Sequence, residues 1–251
     1  MTILSQFVLR LVFGTSLAMA CTPSKLVAGG YYRNNLYILL GLNSLAVLVA
    51  WAVPGEGPPL WPPLVAAVAS YVGAICWLYE KPWPGTAALV LIAATTLAGA
   101  WLSGAPGASA PLMLRALAVL DPLVGGLVLG LTFAAMLLGH WYLNAPGMAL
   151  APLKRLVLAM FAAVVVRSAL AALGLGLELT DVGFDRGRWL FVALRWLAGL
   201  FGAGGVAVAT WQTLKIPNTQ SATGILYVGV IGTFLGELMS QLLSSETTYP
   251  L

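Results

Sequence analysis

Charge is scarce in this chain. Asp, Glu, Lys and Arg make up 8% of its 251 residues, against 60% for the hydrophobic types. A soluble domain carries roughly a quarter charged residues, so the polar surface needed to face water is missing. Histidine is nearly absent too. The single His140 excludes bis-His haem ligation and a His-rich metal cage, and Met136, on the same helical face, could not reach an iron from its opposite side. The two cysteines, Cys21 and Cys76, match no metal or redox spacing. No H-E-x-x-H, no G-x-S-x-G with a partner His and no paired-acid motif of an intramembrane transferase occurs. The glycine-rich run 174–187 has no strand before it and joins two apolar stretches, so it reads as a loop and not as a nucleotide site. These absences leave no catalytic residue, no metal site and no intrinsic cofactor to predict.

What is present is apolar length. A mean hydropathy of +0.94, with nine Trp and eight Tyr to populate the membrane–water boundaries, marks an integral membrane protein. The net charge of +4 comes from basic residues scattered singly, which act as topology signals, and nucleic-acid binding is set aside. Ala18-Met19-Ala20-Cys21 resembles a signal-peptide cleavage site. Leu17 sits one place too far upstream for a lipobox and the first nine residues lack Lys and Arg, so the segment is read as a retained first span.

An apolar helix needs about 20 residues to cross the hydrocarbon. Eight runs qualify, at 3–21, 36–53, 61–79, 86–103, 117–142, 155–176, 189–211 and 222–243, which predicts one all-α transmembrane domain over 1–251. Short Pro- and Gly-rich connections such as 54–59 and 81–85 favour antiparallel neighbours, and no internal repeat is evident. Alternate connections carry Lys25, Arg33, Lys81, Lys154, Arg155 and Lys215 on one side and Arg115, Arg186 and Arg188 on the other. Retention of basic loops in the cytoplasm then predicts two non-cytoplasmic termini, in a bacterial inner membrane, with 178–188 as the most polar outer loop. Asp121-Pro122 allows two readings: an interruption within the fifth span, or an Asp cap starting a helix at 122–142 behind a short interfacial helix at 110–120.

Ionisable side chains within spans are costly and point to function. From the expected outer helix ends, Arg10 lies about 10 Å deep, Arg195 and Glu237 about 9 Å and Arg167 about 14 Å. The helices alternate in direction, yet all four fall in one layer, and Asp121 joins them if it is within a span. In the last span Gly229, Thr233, Glu237, Gln241 and Ser244 form a polar stripe. Arg195 shares a face with Gly199 and Gly202, Arg167 with Ala163, Ala171 and Gly174, and Arg10 with Gln6 and Gly14; such small residues mark helix contacts. Two explanations stand side by side. One is structural pairing of Glu237 with Arg167 or Arg195, with Arg10 snorkelling outward. The other is a site for an anionic or quinone-like headgroup, with an ion or proton path as a further option.

A second cluster, His140, Trp141, Tyr142 and Asn144 before Pro146-Gly147, closes the fifth span. It reads either as an interfacial aromatic belt with a helix stop or as a headgroup site with His140 facing a quinone carbonyl. In architecture alone, eight spans with outer termini and no redox ligands resemble the quinone-handling anchor subunits of bacterial membrane oxidoreductases. That resemblance implies a non-catalytic subunit of a respiratory or other redox complex, with redox subunits, quinone and bilayer lipid as partners. The alternatives are a small-solute or ion transporter using the Arg/Glu layer, and a structural or assembly protein.

Overall fold

Where a helix begins and stops here follows from residues that cannot extend it. Pro62 and Pro63 open one helix and Pro82 the next, at positions whose N–H groups need no intrahelical acceptor. Asn218 caps the last helix, its side chain accepting from the Ser221 N–H at 3.0 Å. Between Leu78 and Pro82 the chain turns through Glu80 in the left-handed region (φ 55°), and the Lys81 N–H returns to the Cys76 carbonyl at 2.9 Å.

The computed structural model describes residues 3–52, 59–104, 110–145, 147–181, 186–216 and 218–251, which are overwhelmingly helical and without strand. Eight helices are long and apolar enough to span a membrane: α1 (Ile3–Ala20), α2 (Gly29–Ala52), α3 (Trp61–Leu78), α4 (Pro82–Gly104), α5 (Leu112–Asn144), α6 (Ala151–Asp181), α7 (Trp189–Thr213) and α8 (Thr219–Glu246). The protein is an all-helical multi-pass membrane protein.

Two groups of four make up the bundle. In the first, α1 adjoins α2 and α4, and α3 closes the ring; in the second, α5 adjoins α6 and α8, and α7 closes it. The cyclic order is the same in both, and the joining contacts α1–α8 and α5–α4 are matched as well, an arrangement invisible in the sequence. The seam is α1 against α5. Gly14 lies on the backbones of Gly126 and Gly130, and a Cβ at Gly126 would come within 2.6 Å of Phe13 and 2.9 Å of the Arg10 carbonyl oxygen. Without side chains in the way the two helices approach closely, and α1, buried on nearly all sides, becomes the central helix.

Three expectations need correction. Helix α5 runs unbroken through Asp121-Pro122, so Asp121 is an interior residue and no separate helix at 110–120 exists. A proline is tolerated there because neighbouring helices enclose the backbone. The expected polar loop at 178–188 begins later, since α6 continues to Asp181; residues 182–185 lie outside the described residues. Glu178 is therefore buried on a helix, where one carboxylate oxygen accepts from the Thr248 and Tyr249 N–H groups at 3.1 and 3.2 Å. Third, α7 widens to a π-helix at Arg195–Gly202. The wider turn rotates Gly202 off the Arg195 face and leaves it exposed, whereas Gly199 packs on Gly236 of α8.

Candidate functional site

Each helix of the second group contributes one buried charge to a common layer, Asp121 from α5, Arg167 from α6, Arg195 from α7 and Glu237 from α8, and α1 adds Arg10; the buried Glu178 of α6 lies about three turns further along, against Thr248 and Tyr249. Helical rise brings them to one depth; the glycine contacts bring them within bonding distance. Gly125 matters most directly, because a Cβ there would stand 2.6 Å from Glu237 Oε1.

Four of the five close a ring of alternating sign. Arg10 Nη2 lies 2.7 Å from Asp121 Oδ2, and Arg167 Nη1 lies 2.5 Å from Asp121 Oδ1. Arg167 Nη2 reaches Glu237 Oε2 at 3.2 Å, and Arg10 Nη1 reaches Glu237 Oε1 at 2.7 Å. Every carboxylate oxygen thus meets a guanidinium, the condition under which buried charges are tolerated. Arg10 does not snorkel outward, as one reading expected, because both acids hold it inside. Its Nε donates to Gln6 Oε1 at 3.1 Å, and Gln6 donates in turn to the Ala100 carbonyl of α4 at 2.8 Å, tying the ring to the first group of helices. Arg167 also donates to Ser240 Oγ at 3.0 Å, and the Ser240 hydroxyl donates to a main-chain oxygen of Leu251.

The fifth charge stands beside the ring. Arg195 donates from Nη1 to the Gly236 carbonyl at 3.2 Å, and the same nitrogen is 3.9 Å from Glu237 Oε2. Among the described residues its Nε and Nη2 have no partner, although the residue is only 2% exposed. Three guanidiniums and two carboxylates give the side chains of the layer one net positive charge when all are ionised.

A cavity of about 390 Å³ leads to this layer from the end of the bundle that carries the termini. It lies among α1, α4, α5, α8 and the segment after α8, with Arg10 and Asp121 on its wall beside Gln6, Gln241, Ser244 and Thr248. Pro122 lines it too. Lacking an N–H, Pro122 leaves the Ala118 carbonyl, on the same wall, without its helical donor. Both amide atoms of buried Gln241 lack a partner among the described residues. Thr233 takes no part, since its hydroxyl is spent on its own helix at the Gly229 and Val230 carbonyls.

The second cluster is not brought together. His140 is exposed, with Nδ1 3.2 Å from the Tyr227 hydroxyl of α8. Trp141 packs over Gly30 and near Tyr31 of α2, Tyr142 donates to the Ala149 carbonyl at 2.5 Å, and Asn144 is exposed. Successive helical residues diverge by about 100°, so Trp141 and Tyr142 turn away from the face that His140 shares with Asn144, and the four do not converge. Among the described residues no group of His, Cys, Asp and Glu could hold a metal.

Sequence reasoning missed Ser240, Glu178 and the Asn43–Ser70 pair, in which Asn43 Nδ2 donates to Ser70 Oγ at 3.2 Å between α2 and α3. Ser240 was accessible, standing three residues after Glu237 on a polar stripe; Glu178 was hidden by its loop-like neighbours. No family model, no curated protein and no solved structure matches this chain.

Proposed function

We propose that this protein is a transporter for a small polar or ionic solute, which enters the cavity at the termini end and is met by the charged ring. The observation that supports it most is the placement of Arg10 and Asp121, two members of a buried network, on the cavity wall. A purely structural ion pair gains nothing from a hydrated approach, whereas a site needs one. Alternating carboxylates and guanidiniums can exchange partners with a polar solute, and Arg10 couples such a change to both helix groups. We place the protein in a bacterial inner membrane with non-cytoplasmic termini, on the distribution of basic residues.

The test is reconstitution of the full chain into vesicles and uptake of labelled amino acids, short carboxylates and inorganic ions, with Asp121→Asn as comparison. Saturable uptake that falls at least tenfold in Asp121→Asn is the expected result. Vesicles as tight as protein-free ones to the whole panel would refute the reading. A second reading, an anchor subunit of a redox complex that contacts quinone or lipid, is supported by the exposed His140–Tyr227 pair. Stoichiometric recovery of a cytochrome or iron–sulfur subunit after mild-detergent purification would favour it.

A further inference from the structure

We infer that Arg195 is the receptor for one small oxyanion, a carboxylate or a phosphate group, at a site separate from the cavity. The guanidinium offers two edges, and here only one is used. Its Nη1 is committed to the Gly236 carbonyl, while Nε and Nη2, the two nitrogens whose N–H bonds run parallel along the other edge, are both unpartnered in a residue that is 2% exposed. Two parallel donors match two oxygens of a carboxylate or phosphate, the geometry in which Arg binds such groups most strongly.

The ring does not supply that acceptor: Arg195 meets it through Nη1, 3.9 Å from Glu237 Oε2, and no ring oxygen is hydrogen-bonded to Nε or Nη2. Asp121 Oδ1 and Oδ2 are taken by Arg167 and Arg10, and Glu237 Oε1 and Oε2 by Arg10 and Arg167. Among the five side chains Arg10 and Arg167 balance the two acids, so Arg195 is the guanidinium left over, and one monovalent oxyanion balances it. A water could satisfy either donor but would leave that charge uncompensated.

The backbone at this point is unusual as well. The π-helical segment of α7 starts at Arg195, and π-turns inside helices recur at functional sites. Arg195 lies six residues past Trp189, about 9 Å along the axis from the start of α7, within reach of the membrane boundary. Among the described residues neither Arg195 nor any other residue of α6 or α7 lines the cavity. The inference therefore does not depend on transport.

The test uses the full chain, stripped of lipid in detergent, and follows thermal unfolding as sodium acetate or sodium phosphate replaces chloride at constant ionic strength. Equilibrium dialysis against radiolabelled acetate and phosphate gives stoichiometry. One oxyanion per chain is expected, with a saturable rise in unfolding temperature. Arg195→Lys, which keeps the charge and loses the paired donors, should raise the half-saturating concentration at least tenfold, and Arg195→Gln should abolish binding. Ser244→Ala, on the cavity wall, should leave it unchanged, which separates failure here from failure of the transport reading. If neither free anion binds but phosphatidylglycerol added to phosphatidylcholine nanodiscs raises the unfolding temperature of wild type and not of Arg195→Lys, the oxyanion is a lipid headgroup phosphate. No binding from any of these sources, or equal binding by wild type and both variants, would overturn the inference.

Discussion

Glu237→Gln tests the charge accounting most severely, because it removes a charge and almost no volume. Glu237 is the one acid facing all three guanidiniums, at 2.7 Å from Arg10, 3.2 Å from Arg167 and 3.9 Å from Arg195. Neutralising it leaves Asp121 alone against three buried cations, and breaking a buried pair by removing one partner costs about 3–5 kcal/mol. On the scaling for domains of 150–250 residues, that lowers the unfolding temperature by about 6–20 °C. Arg195→Met should behave oppositely. It removes the one cation without a carboxylate of its own, and that relief offsets the single hydrogen bond it sacrifices, to Gly236, a charged-donor bond worth about 1.5–3 kcal/mol. The expected change is under about 1 kcal/mol in either direction. Combined, Glu237→Gln with Arg195→Met restores the original net charge of the layer and should recover at least half of the loss. The assay is thermal unfolding of the purified proteins in one detergent, free of added acetate or phosphate, followed by tryptophan fluorescence. If Arg195→Met destabilises as much as Glu237→Gln, or if Glu237→Gln falls within about 0.5 kcal/mol of wild type as surface changes do, the ring is not organised as described.

Packing and topology give three further expectations. Gly14→Ala drives a Cβ into the Gly126 carbonyl and should cost about 1–3 kcal/mol by overpacking, whereas Gly41→Ala, with nothing within 4 Å, should be neutral in the same unfolding assay. His140→Ala loses one exposed hydrogen bond to Tyr227 and should cost under about 1 kcal/mol, leaving uptake in vesicles unchanged; a tenfold fall in uptake would give His140 a direct role. In a background lacking Cys21 and Cys76, Leu112→Cys and Lys215→Cys lie at opposite ends of the bundle and should label from opposite sides of intact cells. Labelling of both from one side would contradict the eight-span topology.

Eight spans were readable from the sequence because apolar length and a fixed rise per residue are local properties of each segment. Depth is local too, so Arg10, Arg167, Arg195 and Glu237 could be assigned to one layer before any helix was packed. Asp121 was the doubtful member, since Asp-Pro is equally good chemistry for a helix start and only the enclosing helices decide that α5 passes through it. Partners are not local. Whether Arg10 snorkels or turns inward depends on how close α1 comes to α5, and that distance is set by Gly14, Gly126 and Gly130 meeting from segments more than a hundred residues apart in sequence. The same holds for Arg195, whose surplus exists only because both acids are filled by other guanidiniums. For His140 the contrast runs the other way: adjacency in sequence allowed a shared site, and helical geometry turns Trp141 and Tyr142 toward partners of their own. Composition and periodicity fixed the solvent, the number of spans and the depth of each charge, while helix packing alone determined which charges met and which guanidinium edge was left without an acceptor.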